Sequence, residues 1–171
     1  MIFKKKNKKN LGITLVEVIV ACSIISLSMF ALMTTAQKGL NLSSNALVKS
    51  QASLLLEEGA EAVKSIRNNN WTDVATNVTS YHLFFNTTTK LWSLNTSTTN
   101  LSGCIPSYPI DGVFDRTVTI SSVNRDANDD IIASGGTLDA GTKKVVVTVT
   151  WTSSGVANTK SLSFYISNIF N

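Results

Sequence analysis

The sequence predicts an α+β chain: a long N-terminal helix whose first half spans a membrane, with one antiparallel β-sheet packed on its second half. Three observations predict this. An apolar run from Leu11 to Ala36 follows a cluster of lysines. An amphipathic pattern then continues, without proline, to about Arg67. Strands that alternate apolar with polar residues, joined by turn-rich connections, fill the C-terminal third.

The charge balance excludes one class of function. The chain holds 15 basic and 11 acidic residues, for a formal charge of +4. Five of the basic ones, Lys4, Lys5, Lys6, Lys8 and Lys9, lie in the first twelve residues, and without them ten basic groups face 11 acidic ones. No basic stripe is left to form a direct nucleic-acid site. Two cysteines, Cys22 and Cys104, and the single His82 give neither a disulfide framework nor a metal-ligand spacing. Cys104, beside Pro106 and Pro109, has no base near it in sequence, so no enzyme is expected.

From Leu11 to Ala36 roughly 26 residues carry one charge. At ~1.5 Å per residue this crosses a ~30 Å hydrocarbon core. The basic flank puts the N-terminus in the cytoplasm and the rest outside, and the lack of proline favours one continuous helix. The anomaly is Glu17, since a carboxylate at mid-bilayer costs about 2.5–3.5 kcal/mol on insertion scales. Snorkelling to the interface accounts for that charge alone, but not for its spacing from Gly12 or for the lysine cluster.

KKKNKKNLG followed by ITLVEVIVACSII resembles the signal of type IV prepilins: a short basic leader, a glycine, a hydrophobic first residue, then threonine, leucine and a glutamate at position five. The resemblance implies a leader of residues 1–12, a transmembrane and assembly helix of 13–36, and a periplasmic or extracellular head of 37–171. It also implies that a prepilin peptidase cuts between Gly12 and Ile13 and methylates the Ile13 amine. Isoleucine stands where phenylalanine is commonest, a substitution seen in minor pilins. The new amine can pair with Glu17 of a neighbouring subunit, about one helical turn along, offsetting the burial cost and setting axial register. A competing motif is the lipobox Ile19-Val20-Ala21-Cys22, in which Cys22 would carry lipid. Against it, Glu17 interrupts the apolar core and apolar residues continue to Met33.

Beyond the membrane segment, Leu40, Leu47 and Leu54 recur at sevens and Leu56, Val63 and Ile66 continue the stripe. Lys49, Glu57, Glu58, Glu61, Lys64 and Arg67 supply the polar side. The stripe is expected to lie under the sheet, with Gly39 and Gly59 as possible bends and Asn68-Asn69-Asn70 as the stop. LLLEEGAEAVKSIRNNNW is similar to the corresponding stretch of PilV-like minor pilins and pseudopilins, and the type IV pilin fold is the fold implied.

Tyr81–Phe85 and Lys90–Leu94 read as a hairpin. Val118 and Ile120 mark a strand. Val145, Val147, Val149 and Trp151 share one face of another, and Leu162, Phe164 and Ile166 one face of a third. The last two are expected to pair across a turn centred on Gly155. Trp151 belongs to the core on this pattern, whereas Trp92 is a candidate exposed aromatic. Several N-x-S/T triplets, at Asn77, Asn86 and Asn95 among others, reflect composition.

Asp126, Asn128 and Asp130 form D-x-N-x-D, the opening of a calcium loop, and Asp129 or Asp139 could add oxygens. Ile131 and Thr137 replace the glycine and glutamate that an EF-hand requires, so only a non-EF calcium site is left open and a solvated loop is the alternative. No other cofactor is expected. The expected function is structural: a minor pilin or pseudopilin of a type IV pilus or a type II secretion or competence-type filament. Its partners would be the membrane, the prepilin peptidase and other pilins through the N-terminal helix. It would begin as a single-pass protein of a prokaryotic cytoplasmic membrane and end in a pilus at the cell surface. The alternative is a membrane-anchored surface binding module that does not polymerise.

Overall fold

A computed structural model describes residues 12, 14–97, 103–153 and 155–169. The chain divides into two compact units, Met1–Ala46 and Leu47–Asn171. Helix α1 runs from Leu15 to Asn69, with a one-turn α2 at Thr72–Ala75. Strands β1 (Val78–Asn86), β2 (Trp92–Asn95), β3 (Cys104–Ile105), β4 (Phe114–Arg125), β5 (Ile131–Ile132), β6 (Thr137–Ser153) and β7 (Val156–Ser167) follow. The architecture is the α+β arrangement expected.

In the first unit, α1 has no core of its own. Its described residues are exposed all round apart from half-buried Thr34. The second unit holds the sheet, in the order β2-β1-β4-β6-β7 with β3 beside β1 and β5 beside β4, every pairing antiparallel. The expected hairpin of β1 and β2 is present, with Phe85 opposite Trp92 and Leu83 opposite Leu94. The β6–β7 hairpin is tighter than expected. Ser153 pairs with Val156, so most of the presumed connection is strand.

Period-two alternation decides which side chains face the helix. Phe114, Arg116, Val118 and Ile120 of β4 stand opposite Trp151, Val149, Val147 and Val145 of β6, and all eight are buried. The helix answers with Ala52, Leu56, Gly59, Ala60, Ala62, Val63 and Ile66. Most of these are small, so backbone and sheet come close.

One expectation is corrected here. Leu56, Val63 and Ile66 do face the sheet, but Leu40, Leu47 and Leu54 are 71%, 62% and 62% exposed. The reason is angular. Leu54 lies two residues from both Ala52 and Leu56, about 200° around the helix from the buried face. Gly59 lies within the continuous α1. A Cβ there would lie 2.8 Å from Val147 Cγ1 and 3.2 Å from Arg116 Cδ, so Gly59 is the point of closest approach.

Gly59→Ala should therefore destabilise the head. Overpacking costs about 1–3 kcal/mol, and alanine regains at most ~1 kcal/mol in helix propensity. A net loss of about 1–2 kcal/mol is expected in denaturant unfolding followed by near-UV circular dichroism. Val147→Ala in the same background should lessen the penalty of the added methyl, because it removes the atom that is struck.

Candidate functional site

The first candidate site is the start of α1. Gly12 is exposed, with open space where a side chain would be. The leader residues 1–11 and Ile13 lie outside the described residues, so the proposed scissile bond is seen from its Gly12 side only. Immediately after it comes a reciprocal cap. The Thr14 N–H donates to Glu17 Oε2 at 2.8 Å and the Thr14 hydroxyl donates to the same oxygen at 3.0 Å. The Glu17 N–H donates back to Thr14 Oγ1 at 3.4 Å. This is a capping box, T-x-x-E, which satisfies helix-end donors that would otherwise lack partners.

Sequence reasoning treated Glu17 only as a charge awaiting a partner and missed this use, although the three-residue spacing from Thr14 was the signal for it. The box uses atoms of Thr14 and Glu17 alone. Cleavage after Gly12 would leave both residues, and the peptide N–H of Thr14, in place. The carboxylate also lies in the first turn, where it complements the positive end of the helix dipole.

The stretch that follows is built for an apolar medium. Its eighteen-residue window reaches a mean hydropathy of 2.4, with none of it buried. Ser23, Ser26, Ser28 and Thr35 donate their hydroxyls to the carbonyls of Ile19, Cys22, Ile24 and Ala31 at 2.8, 2.8, 2.8 and 2.9 Å. Each polar hydrogen is thereby returned to its own helix, as a lipid environment requires. Cys22 is a free, exposed thiol on the same segment, and Cys104, on β3, is also free.

The second candidate site is the loop between β4 and β6. Asp126 Oδ1 accepts the N–H groups of Asn128 (2.8 Å) and Asp130 (3.0 Å), closing the turn that carries the three candidate calcium ligands. The cation at this loop is Arg125. Its Nε donates to Asp139 Oδ2 at 2.7 Å and its Nη1 to the Asp129 carbonyl at 2.6 Å. Asp139 Oδ1 in turn accepts the Gly141 N–H at 2.8 Å. Gly136 is required there, since at φ +68° a Cβ would fall 2.2 Å from the Arg125 carbonyl oxygen. Among the described residues, no group of three or more His, Cys, Asp or Glu side chains could hold a metal ion.

A third group of polar side chains lies within the head, and the sequence reading missed most of it. Arg116 is fully buried, and its Nη1 donates to Glu58 Oε2 at 2.7 Å and to the Leu55 carbonyl at 3.2 Å. The signal was its parity, which places it in line with Phe114, Val118 and Ile120 on the apolar face of β4. Buried His82 meets Asp115 Oδ1 at 3.0 Å through Nε2 and stands edge-on to Tyr108. The Tyr108 hydroxyl donates to the Leu83 carbonyl and accepts the Leu83 N–H. Burial pushes the Tyr108 phenol above its ordinary value, and the Arg116 charge beside it pulls the other way. Trp92 is half-buried, packed on Phe85, and has the Arg116 guanidinium 5.8 Å from its ring centroid. Trp151 is in the core, as its strand face indicated.

Residues 7–33 match the family model described as the prokaryotic N-terminal methylation motif, the type IV prepilin-like signal. The match covers the end of the leader and the apolar start of α1, and leaves the head outside it. No curated protein and no solved structure matches the chain. The motif implies processing by a prepilin peptidase, and it points to a structural, pilin-like protein anchored in a membrane.

The Arg125–Asp139 contact gives a pH prediction. Arg125, hydrogen-bonded to Asp139, holds this carboxyl below its ordinary value. A carboxylate with a depressed folded pKa adds stability above its unfolded pKa, about 4, and loses it as pH falls through the folded value. Asp139→Asn should therefore lower the denaturant midpoint at neutral pH. The gap to wild type should close as pH falls below about 4.

Proposed function

We propose that this chain is a structural subunit of a type IV pilus or a related secretion or competence filament, in the position of a minor pilin or pseudopilin. The observation that carries the reading is the methylation-motif match across residues 7–33, which coincides with a helix start at Leu15 and a Thr14–Glu17 box. Prepilin peptidase would cut between Gly12 and Ile13 and methylate the Ile13 amine. The head, on the far side of the membrane from the basic leader, would be carried to the cell surface.

Assembly would follow from the unsatisfied surface of α1. Leu15, Phe30 and Met33 are all exposed, and in water that apolar area is unfavourable. Lipid covers it before assembly, and the helices of other subunits would cover it afterwards. Glu17 then has two duties. It caps its own helix through Thr14, and its carboxylate would answer the Ile13 ammonium of a neighbouring chain.

Intact-mass analysis after coexpression with a prepilin peptidase tests the processing. The expected product lacks residues 1–12 and carries one added methyl. A product cut before Cys22 and bearing acyl chains would instead establish the lipidated, non-polymerising alternative and overturn the filament reading.

The two duties of Glu17 separate by substitution. Glu17→Gln keeps a side chain able to close the capping box but removes the charge, whereas Glu17→Ala removes both. If the ion pair governs assembly, both variants should be depleted from sheared filaments, by about tenfold or more relative to wild type for a pair worth ~1.4 kcal/mol. Normal incorporation of the glutamine variant would show that capping, rather than charge, is what assembly needs.

A further inference from the structure

The head carries a cleft of about 420 Å³ whose lining includes Ser121, Val123, Ile131, Ile132, Lys144 and Tyr165. One side of it is a single register row. Lys144 of β6 stands opposite Ser121 of β4 and opposite Tyr165 of β7. The alternation that buries Val145 puts this row on the solvent side of the sheet. Two strand spacings make the row about 10 Å long. The other side is β5, where Ile132 and Ile131 pair with Asn124 and Arg125. It follows a register shift between Ser122 and Val123, an irregularity of the kind that bends a strand. Gly136 lets β5 sit close, since a Cβ there would lie 2.7 Å from Ile132 Cδ1.

The lining has one sign of charge. Lys144 is exposed and cationic, and no carboxylate is among the lining residues. Among the described residues the Lys144 ammonium has no ion-pair or hydrogen-bond partner, and the Tyr165 hydroxyl has no hydrogen-bond partner. Tyr165 is 50% exposed, and Ile131 beside the cleft is 39% exposed. The cleft thus combines a free cation, a free phenol, the Ser121 hydroxyl and an aromatic and aliphatic surface. Its volume falls within the range of small-ligand sites.

From this geometry we infer that the cleft binds a sugar ring carrying a carboxylate, a hexuronic acid unit of a polysaccharide. Lys144 pairs with the carboxylate. The electron-rich face of the Tyr165 ring takes the C–H side of the sugar, and the hydroxyls of Ser121 and Tyr165 take its hydroxyls. One cation in the row suits one negative charge. The next rows on the same face hold Thr119, Val146 and Ser163, then Thr117, Thr148 and Ser161. All six are neutral, so a nucleic-acid strand laid along them would leave most of its phosphates unanswered. Five of the six carry hydroxyls, which suits a polysaccharide whose neighbouring units continue along the face. A simple aryl acid has nothing to offer those hydroxyls.

Full-length protein in lipid nanodiscs, labelled at the isoleucine δ1 methyls, tests this by NMR titration. The Ile131 and Ile132 methyls, assigned with Ile131→Val and Ile132→Val, report on the cleft, and those of buried Ile120 and Ile166 report on the fold. The ligands are trigalacturonate, its methyl ester, benzoate and a short oligo-dT. Trigalacturonate should shift the cleft methyls and bind about fivefold more tightly than its uncharged ester, the gain expected of one exposed ion pair. Benzoate and oligo-dT should bind more weakly than trigalacturonate.

Two variants at exposed positions assign the roles. Lys144→Gln should bring trigalacturonate down to the affinity of the ester and leave the ester unchanged. Tyr165→Ala should weaken both about tenfold and keep their ratio. In each variant the Ile120 and Ile166 methyls should stay in place. Equal affinity for acid and ester, a charge preference that survives Lys144→Gln, tighter binding of benzoate or oligo-dT, or no shift at about 10 mM trigalacturonate would each overturn the assignment. None of these readouts depends on whether the chain enters a filament.

Discussion

The close approach of α1 to the sheet at Gly59 is the contact on which the head is organised. With Ala52, Ala60 and Ala62 beside it, the helix offers a face of little more than backbone, and Val147 fits where a Cβ would be. Large side chains on both sides would hold the two layers about 10 Å apart. Here Arg116, lying in the inner face of β4, can reach over the helix surface to a main-chain carbonyl at Leu55 and a carboxylate at Glu58. The Arg116–Glu58 ion pair, whose guanidinium is buried, depends on that small-residue face.

The start of the same helix meets a different constraint. A carboxylate in an apolar segment must find partners or be expelled, and Thr14 supplies them locally. The cost of placing Glu17 in lipid is thereby reduced before any other subunit is present. An ion pair formed later with the Ile13 amine would add to this arrangement without dismantling it, since the carboxylate has two oxygens and the box is written on Oε2 alone.

Much of this was legible in the sequence because periodicity is a local property. The 55 residues of α1, the hairpin at Phe85 and Trp92, and the faces of β4, β6 and β7 each follow from repeats of 3.6 or 2 residues. The helix face was harder. The leucines were read as one stripe running into Leu56, Val63 and Ile66, and only packing could decide that Ala52, Gly59 and Ala60, which carry almost no hydrophobic signal, are buried while Leu47 and Leu54 are not. Short strands such as β3 and β5 have too few residues for a pattern. Their pairing is decided by distant strands. Arg116 was hidden for the opposite reason, since a charge is ordinarily read as marking the solvent face.

The division of the chain into a unit with a core and a unit without one then acquires a physical meaning. A helix that is apolar all round is stable only when something covers it. Lipid and other helices are both suitable covers, but they make different demands on polar groups, because lipid tolerates no free donor while a neighbouring helix can supply an acceptor. In α1 that difference has been removed in advance. Glu17 is satisfied by Thr14, and Ser23, Ser26, Ser28, Thr34 and Thr35 are satisfied by carbonyls of their own helix. The segment can pass from bilayer to helix bundle without breaking any of these hydrogen bonds. In the proposed assembly, transfer would replace one apolar surface by another, and helix packing would have to exceed lipid packing by the cost of ordering the subunit.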